Sequence, residues 1–165
     1  MKISDFEIPA NSTKREWTVY VIVARPTSDK VGNHRFFYIG KTGDNREGCN
    51  PIISRIGNHF SFNKIHSQIR NYLKQHSKNT TDYNYTVFYA TFGEYNIKDK
   101  ESKDRVNELE RQLKRYMQEK LQNRLELLNQ YKDSRVSKNE KLKREKILTE
   151  NDKETLKLLV DKAIK

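Results

Sequence analysis

The chain has a single cysteine, Cys49, among 165 residues, which excludes an internal disulfide and fits a reducing compartment. No stretch approaches the roughly 20 consecutive apolar residues of a membrane-spanning helix. The opening Met1-Lys2-Ile3-Ser4-Asp5-Phe6 lacks the apolar run of a secretory signal peptide. In that setting the three sequons Asn11-Ser12-Thr13, Asn79-Thr80-Thr81 and Asn84-Tyr85-Thr86 carry no meaning. Acidic residues are short: 22 Asp and Glu against 33 Lys and Arg give a net charge of +11. Such a field attracts polyanions, of which nucleic acid is the commonest and an anionic membrane surface the rival. No internal repeat and no Cys/His cluster of zinc spacing stands out. These absences describe a soluble, basic protein of the cytoplasm.

Seven Phe, nine Tyr and one Trp argue against wholesale disorder, because aromatic-rich segments bury enough area to fold. Charged residues make up 33% of the chain, so much of it is solvated surface, and the apolar residues cluster between Trp17 and Phe92. The length suits one domain with a real core plus a helical appendage. Residues 1–16 read as a loose polar leader, 17–121 as the folded domain, and 122–165 as a basic helical extension.

Within the domain, Trp17 to Ala24 (WTVYVIVA) is β-branched and aromatic and reads as a central strand. A turn-rich connection with Pro26, Asp29, Gly32 and Asn33 leads to a second strand, Arg35 to Lys41 (RFFYIGK). After another loop, Pro51 opens a helix carrying Ile52, Ile53 and Ile56. Ile65, Ile69 and Leu73 recur every four residues and predict a second helix from about Asn63 to Gln75. Tyr83 to Phe92 reads as a third strand, ended by Gly93. From about Ser102 the spacing of Val106, Leu109, Leu113, Tyr116, Met117 and Leu121 predicts a long helix, continuing through Leu125 and Leu128 towards Tyr131. Leu156, Leu159, Val160, Ala163 and Ile164 predict a closing amphipathic helix. The order β-β-α-α-β-α with C-terminal helices is an α+β layout.

The two first strands resemble the GIY-YIG nuclease family. Thr18-Val19-Tyr20 stands where the family has Gly-Ile-Tyr, and Tyr38-Ile39-Gly40 is an unaltered second motif, followed by Lys41 and Thr42. Arg55 and His59 follow on the next helix, four apart and so on one face, as in the family. Glu110, within Leu109-Glu110-Arg111-Gln112-Leu113, stands where the family's metal-binding Glu is expected, with Glu108 as a competitor. The resemblance covers about residues 17 to 120 and implies a small three-stranded antiparallel sheet flanked by helices. It implies a metal-dependent endonuclease acting on double-stranded DNA with Mg²⁺ or Mn²⁺, with a lean towards restriction type. Tyr20 would be the general base or nucleophile-orienting group beside Tyr38, Arg55 would serve the phosphate, His59 would assist proton transfer or bind phosphate, and Glu110 would hold the metal. Asn123 matches an Asn that the family often carries after the Glu.

The chemistry stands without the family. Phosphodiester hydrolysis requires a deprotonated water, neutralised charge on the phosphate, and help for the leaving oxygen. A planar guanidinium suits phosphate oxygens, and a carboxylate suits a hard cation that keeps its waters. A phenol is a poor base unless its neighbours lower its pKa. Lys41 is placed to contact phosphate, and Arg46, in the loop from Gly43 to Pro51, to read DNA. Gly40-Lys41-Thr42 is no P-loop, since the required earlier glycine is Arg35, and Glu101-Ser102-Lys103 is a chance match to another nuclease motif. Two other classes fit the same features: a catalytically silent nucleic-acid-binding protein on a nuclease fold, and an interaction protein whose long helices pair with a partner or a second copy.

Overall fold

The computed structural model describes residues 5–28, 35–43, 50–63, 65–121, 126–130 and 137–165. Its centre is a three-stranded antiparallel sheet of β1 (Glu16–Pro26), β2 (Phe36–Lys41) and β3 (Tyr83–Glu94) in the order β2-β1-β3. The unbroken apolar run of β1 is explained by its place: residues 17–24 are buried on both faces. Successive side chains on a strand alternate in direction, so one run serves two cores.

Trp17, Val19, Val21 and Val23 point to one side, where Phe37 and Ile39 of β2 join them. That face is covered by α3 (Lys100–Lys120) and α5 (Glu150–Ile164) through Val106, Leu109, Leu113 and Met117, and through Leu156, Val160 and Ala163. Tyr20, Ile22 and Ala24 point to the other side and pack with Tyr38 under α1 (Ile52–Phe60) and α2 (Gln68–Gln75). The molecule is thus α+β, with helices on both faces of a small sheet. A further short helix, α4 (Lys138–Glu145), precedes α5. No helix among the described residues is long and apolar enough to cross a membrane.

Several expectations need correction. The second helix begins at Gln68, and Ile65 lies outside it, 72% exposed. The Asn63 side chain accepts from Ile65 N and so closes a turn in place of the first helical residues. The long helix stops at Lys120, where Leu121 turns extended. Leu127 instead pairs in parallel with Phe37, and Leu128 N donates to Phe37 O at 2.9 Å, so this stretch lies along the outer edge of β2. The leader is not loose throughout: Ala10–Thr13 forms a 3-10 turn with Ser12 buried, and Tyr89 Oη of β3 donates to Asn11 Oδ1 at 2.6 Å. The segment expected as an extension supplies Leu127, Leu148, Leu156, Leu159 and Val160 to the same core that β1 and α3 build.

α5 is fixed at its start by a reciprocal cap between Thr149 and Asp152. Asp152 is 1% exposed and also receives Arg105 of α3 through two donors, at 2.6 and 3.1 Å. A charge buried at that depth holds only because both its oxygens are paired.

Candidate active site around Tyr20

Tyr20 sits in the middle of the central strand and is fully buried. Its partner in β2 is Gly40, and its partner in β3 is Tyr89. The phenol lies across Gly40: a Cβ there would stand 2.3 Å from Tyr20 Oη and 2.4 Å from Cζ. The glycine of Tyr38-Ile39-Gly40 is therefore required by its neighbour's ring and not by an unusual backbone angle. Ile22 faces Tyr38, which puts Tyr20 and Tyr38 on one face of the sheet as diagonal neighbours.

α1 lies over this face. Ile52, Arg55, Ile56 and His59 recur at helical spacing and turn towards the sheet, while Ser54 and Gly57 are exposed. His59 is 1% exposed, with Nε2 2.7 Å from Tyr20 Oη. Its ring lies 4.5 Å from that of Tyr38 and 5.8 Å, edge-on, from that of Tyr20. Either partner can donate in the Tyr20–His59 bond, depending on which imidazole nitrogen holds the proton.

The charges around Tyr20 assemble the rest of the site. Burial holds its pKa well above the ordinary phenol value, and the adjacent Tyr38 adds to this. The Arg55 guanidinium, which hydrogen-bonds the phenol, pulls the other way, and Glu110 pushes it up again. At neutral pH Tyr20 is thus a neutral phenol. Lowering by Arg55 or Lys41, which a free phenolate base would need, does not prevail. Burial first, and Arg55 second, also lower His59 to about 4, so its imidazole is neutral too. Tyr20, Tyr38, Arg55 and His59 come to one place, and Glu110, 90 residues beyond Tyr20 in the chain, lies near enough to act on its phenol.

That low value has a stability consequence. The unfolded chain binds a proton at His59 near pH 6.5, whereas the folded one resists until about 4. Folding stability should fall as pH drops through that window, by on the order of 3 kcal/mol, and level off below it. Urea unfolding from pH 7 to 4 checks this: wild type should lose that much more than His59→Gln, which keeps a bond to Tyr20 but does not titrate. Parallel curves for the two proteins would refute it.

The two candidate glutamates on α3 separate cleanly. They are two residues apart, which on a helix points them about 200° apart. Glu108 is buried and bound by Arg111, with Nε at 2.7 Å, and by Gln112 Nε2 at 2.9 Å. Glu110 is partly exposed, touches Lys114 Nζ at 2.9 Å, and acts on Tyr20. Among the described residues no three His, Cys, Asp or Glu converge as a metal cage. A single partly solvated carboxylate still fits Mg²⁺, which keeps most of its waters and accepts substrate oxygens.

Other expected residues fall elsewhere. Lys41 pairs with Val19 and so occupies the sheet face opposite Tyr20. Arg46 and Asn123 lie outside the described residues. Thr18, in place of the family's glycine, is buried without conflict: its N donates to Thr42 Oγ1 at 2.9 Å and its O accepts from Thr42 N at 2.8 Å.

One residue that sequence reasoning missed is Asn129. Its Oδ1 accepts from Ile39 N at 3.0 Å and its Nδ2 donates to Ile39 O, so one amide side chain replaces the strand that β2 lacks on its outer edge. It holds Ile39 between Tyr38 and Gly40, the two residues that shape the Tyr20 site. Asn129→Ala leaves both groups of a buried strand unpaired and should cost about 2–4 kcal/mol in denaturant unfolding. Asn129→Asp keeps the acceptor but sets a carboxylate against Ile39 O, and should recover only part. An Ala variant as stable as wild type would show that the amide is no pin.

No protein-family model, curated protein or solved structure matches the chain.

Proposed function

We propose that the chain is an endonuclease of the GIY-YIG kind, hydrolysing DNA phosphodiester bonds with a divalent cation, with a lean towards a restriction role. One observation carries this reading: a buried Tyr–His pair and a guanidinium meet on one face of a small sheet, with a partly solvated carboxylate near enough to act on the phenol. Arg55 binds the phosphate oxygens and neutralises charge that grows as water attacks. Tyr20 and His59 share the proton traffic: Tyr20 Oη takes a proton from the water as its own passes to His59 Nε2, so a free phenolate never forms. His59 is kept neutral by burial first and by Arg55 second, and a phosphate anion beside Arg55 offsets the second of these, which makes the imidazole a better acceptor once substrate is bound. Tyr38 packs the imidazole in place. Glu110 would hold the cation, and Mg²⁺ or Mn²⁺ there would supply further charge neutralisation on the phosphate.

A second reading, a nucleic-acid-binding protein that does not cleave, draws on the full burial and raised pKa of Tyr20. Incubating supercoiled plasmid with the protein, with EDTA, Mg²⁺ or Mn²⁺, separates them. Nicking or linearisation that requires the metal is the expected result. DNA retardation without cleavage at any metal would leave only the second reading.

A further inference from the structure

The loop from α1 to α2 begins two residues beyond His59 and carries two strongly exposed large apolar side chains. Phe62 is 87% exposed and Ile65 is 72% exposed. The described residues on either side of them are nonetheless well bonded. Ser67, 1% exposed, sets its hydroxyl 2.9 Å from Ser61 Oγ and donates to main-chain carbonyls of the turn, while Asn63 Oδ1 accepts from Ile65 N at 2.9 Å. Gln68 Nε2 donates to Ile65 O at 2.9 Å.

Arg70 completes the arrangement. Its Nη2 donates to Phe60 O at 2.7 Å, and its Nε lies 3.2 Å from the carbonyls of both Phe60 and Ser61. Held there, its guanidinium carbon stands 4.1 Å from the centre of the Phe62 ring. One face of the ring rests on a fixed cation and the other faces solvent. Phe60, two residues before Phe62, is anchored by its ring contact with Tyr85, 4.6 Å between centroids.

We propose that Phe62 is a stacking platform for a nucleobase, supported from below by Arg70 and flanked by Ile65. A projecting ring backed by a guanidinium bonded to main-chain carbonyls, in a chain of net charge +11, matches the pairing of aromatic stackers with a positive field that binds unpaired nucleic acid. Two side chains are too little for a stable protein interface, which takes about 800 Å² per partner. Phe62 stands two residues beyond the end of the helix that carries Arg55 and His59. The proposal shares one element with the nuclease reading, namely that the partner is nucleic acid.

Binding is measured in EDTA with a fluorescein-labelled mixed-sequence single strand of about 16 nucleotides, and with inorganic polyphosphate as a polyanion without bases. Phe62→Ala should weaken oligonucleotide binding about 5-fold to 150-fold and leave polyphosphate binding unchanged. Because Phe62 is exposed, folding is unaffected by the change. Phe62→Trp should keep the affinity, and its fluorescence should be quenched by the oligonucleotide and not by polyphosphate. The only other Trp, Trp17, is buried and serves as the internal reference. Equal affinity of wild type and Phe62→Ala overturns the platform, as does an equal loss for both polyanions, or a wild type that binds no oligonucleotide. A concentration-dependent dimer that Phe62→Ala abolishes would reassign the ring to self-association. Phe62-dependent binding without plasmid cleavage leaves the platform standing and removes the nuclease; cleavage with Phe62-independent binding does the reverse.

Discussion

Glu110→Ala is expected to leave a folded protein whose plasmid cleavage in Mg²⁺ falls by about 10³-fold, as when one preorganised electrostatic contact to a transition state is removed. Glu110 pairs with Lys114 at 2.9 Å, and both side chains are about one-fifth exposed, so the stability change should stay under about 1 kcal/mol. Glu108→Ala is the informative contrast. It removes a buried carboxylate and strands Arg111 and Gln112, so it should destabilise by about 3–5 kcal/mol. Specific activity per folded molecule should then hold near wild type. Arg55→Ala should match the loss of Glu110→Ala, because its guanidinium serves the same phosphate. Cleavage assays paired with urea unfolding read both quantities. A Glu110→Ala protein that cleaves at the wild-type rate would remove Glu110 from the site, and a stable, inactive Glu108→Ala would exchange their roles.

Gly40→Ala should combine both kinds of damage. The added methyl lands 2.3 Å from Tyr20 Oη, and that ring is fully buried and cannot swing away. Overpacking of this kind costs about 1–3 kcal/mol. The phenol must also shift by the order of 1 Å, which breaks its 2.7 Å contact with His59, and misplacement on that scale costs about 10²-fold in rate. Gly57→Ala is the control: a Cβ there meets nothing within 4 Å, and losing a helix glycine should stabilise by about 0.5–1 kcal/mol. Adding Tyr20→Val to Gly40→Ala should destabilise by less than the sum of the two single changes, since the clash goes, and should not restore cleavage, since the hydroxyl goes too. Thermal unfolding and cleavage of the two single variants and the double variant decide it. A Gly40→Ala protein with intact stability would mean that Tyr20 moves more freely than its burial implies.

The strands and the site differ in how plainly they were written. Trp17 to Ala24 announces a central strand because no solvent-facing position interrupts its apolar run. Arg55 and His59 announce a shared face because helical geometry fixes where residues four apart point. The second helix was misplaced because Ile65 has the right spacing and the wrong environment: a local Asn63 bond competes with the helix and leaves Ile65 in water. The end of α3 was hidden because no Gly or Pro stands near Leu121, and the leucines beyond it serve a strand edge as well as a helix. Asn129 gave no signal at all, since its partners are main-chain groups 90 residues away.

What the sequence determined by itself was therefore local: the composition that favours a polyanionic partner, the strand and helix order, and the residue types a phosphodiester chemistry needs. Periodicity and charge are properties of neighbours along the chain, and they survive without a fold. Tertiary structure alone decided that Glu108 is taken up by Arg111 while Glu110 acts on Tyr20, why position 40 must be glycine, and that burial keeps Tyr20 protonated. Each of these depends on distances across strands and on exclusion of water, which form only when the sheet closes between its helices.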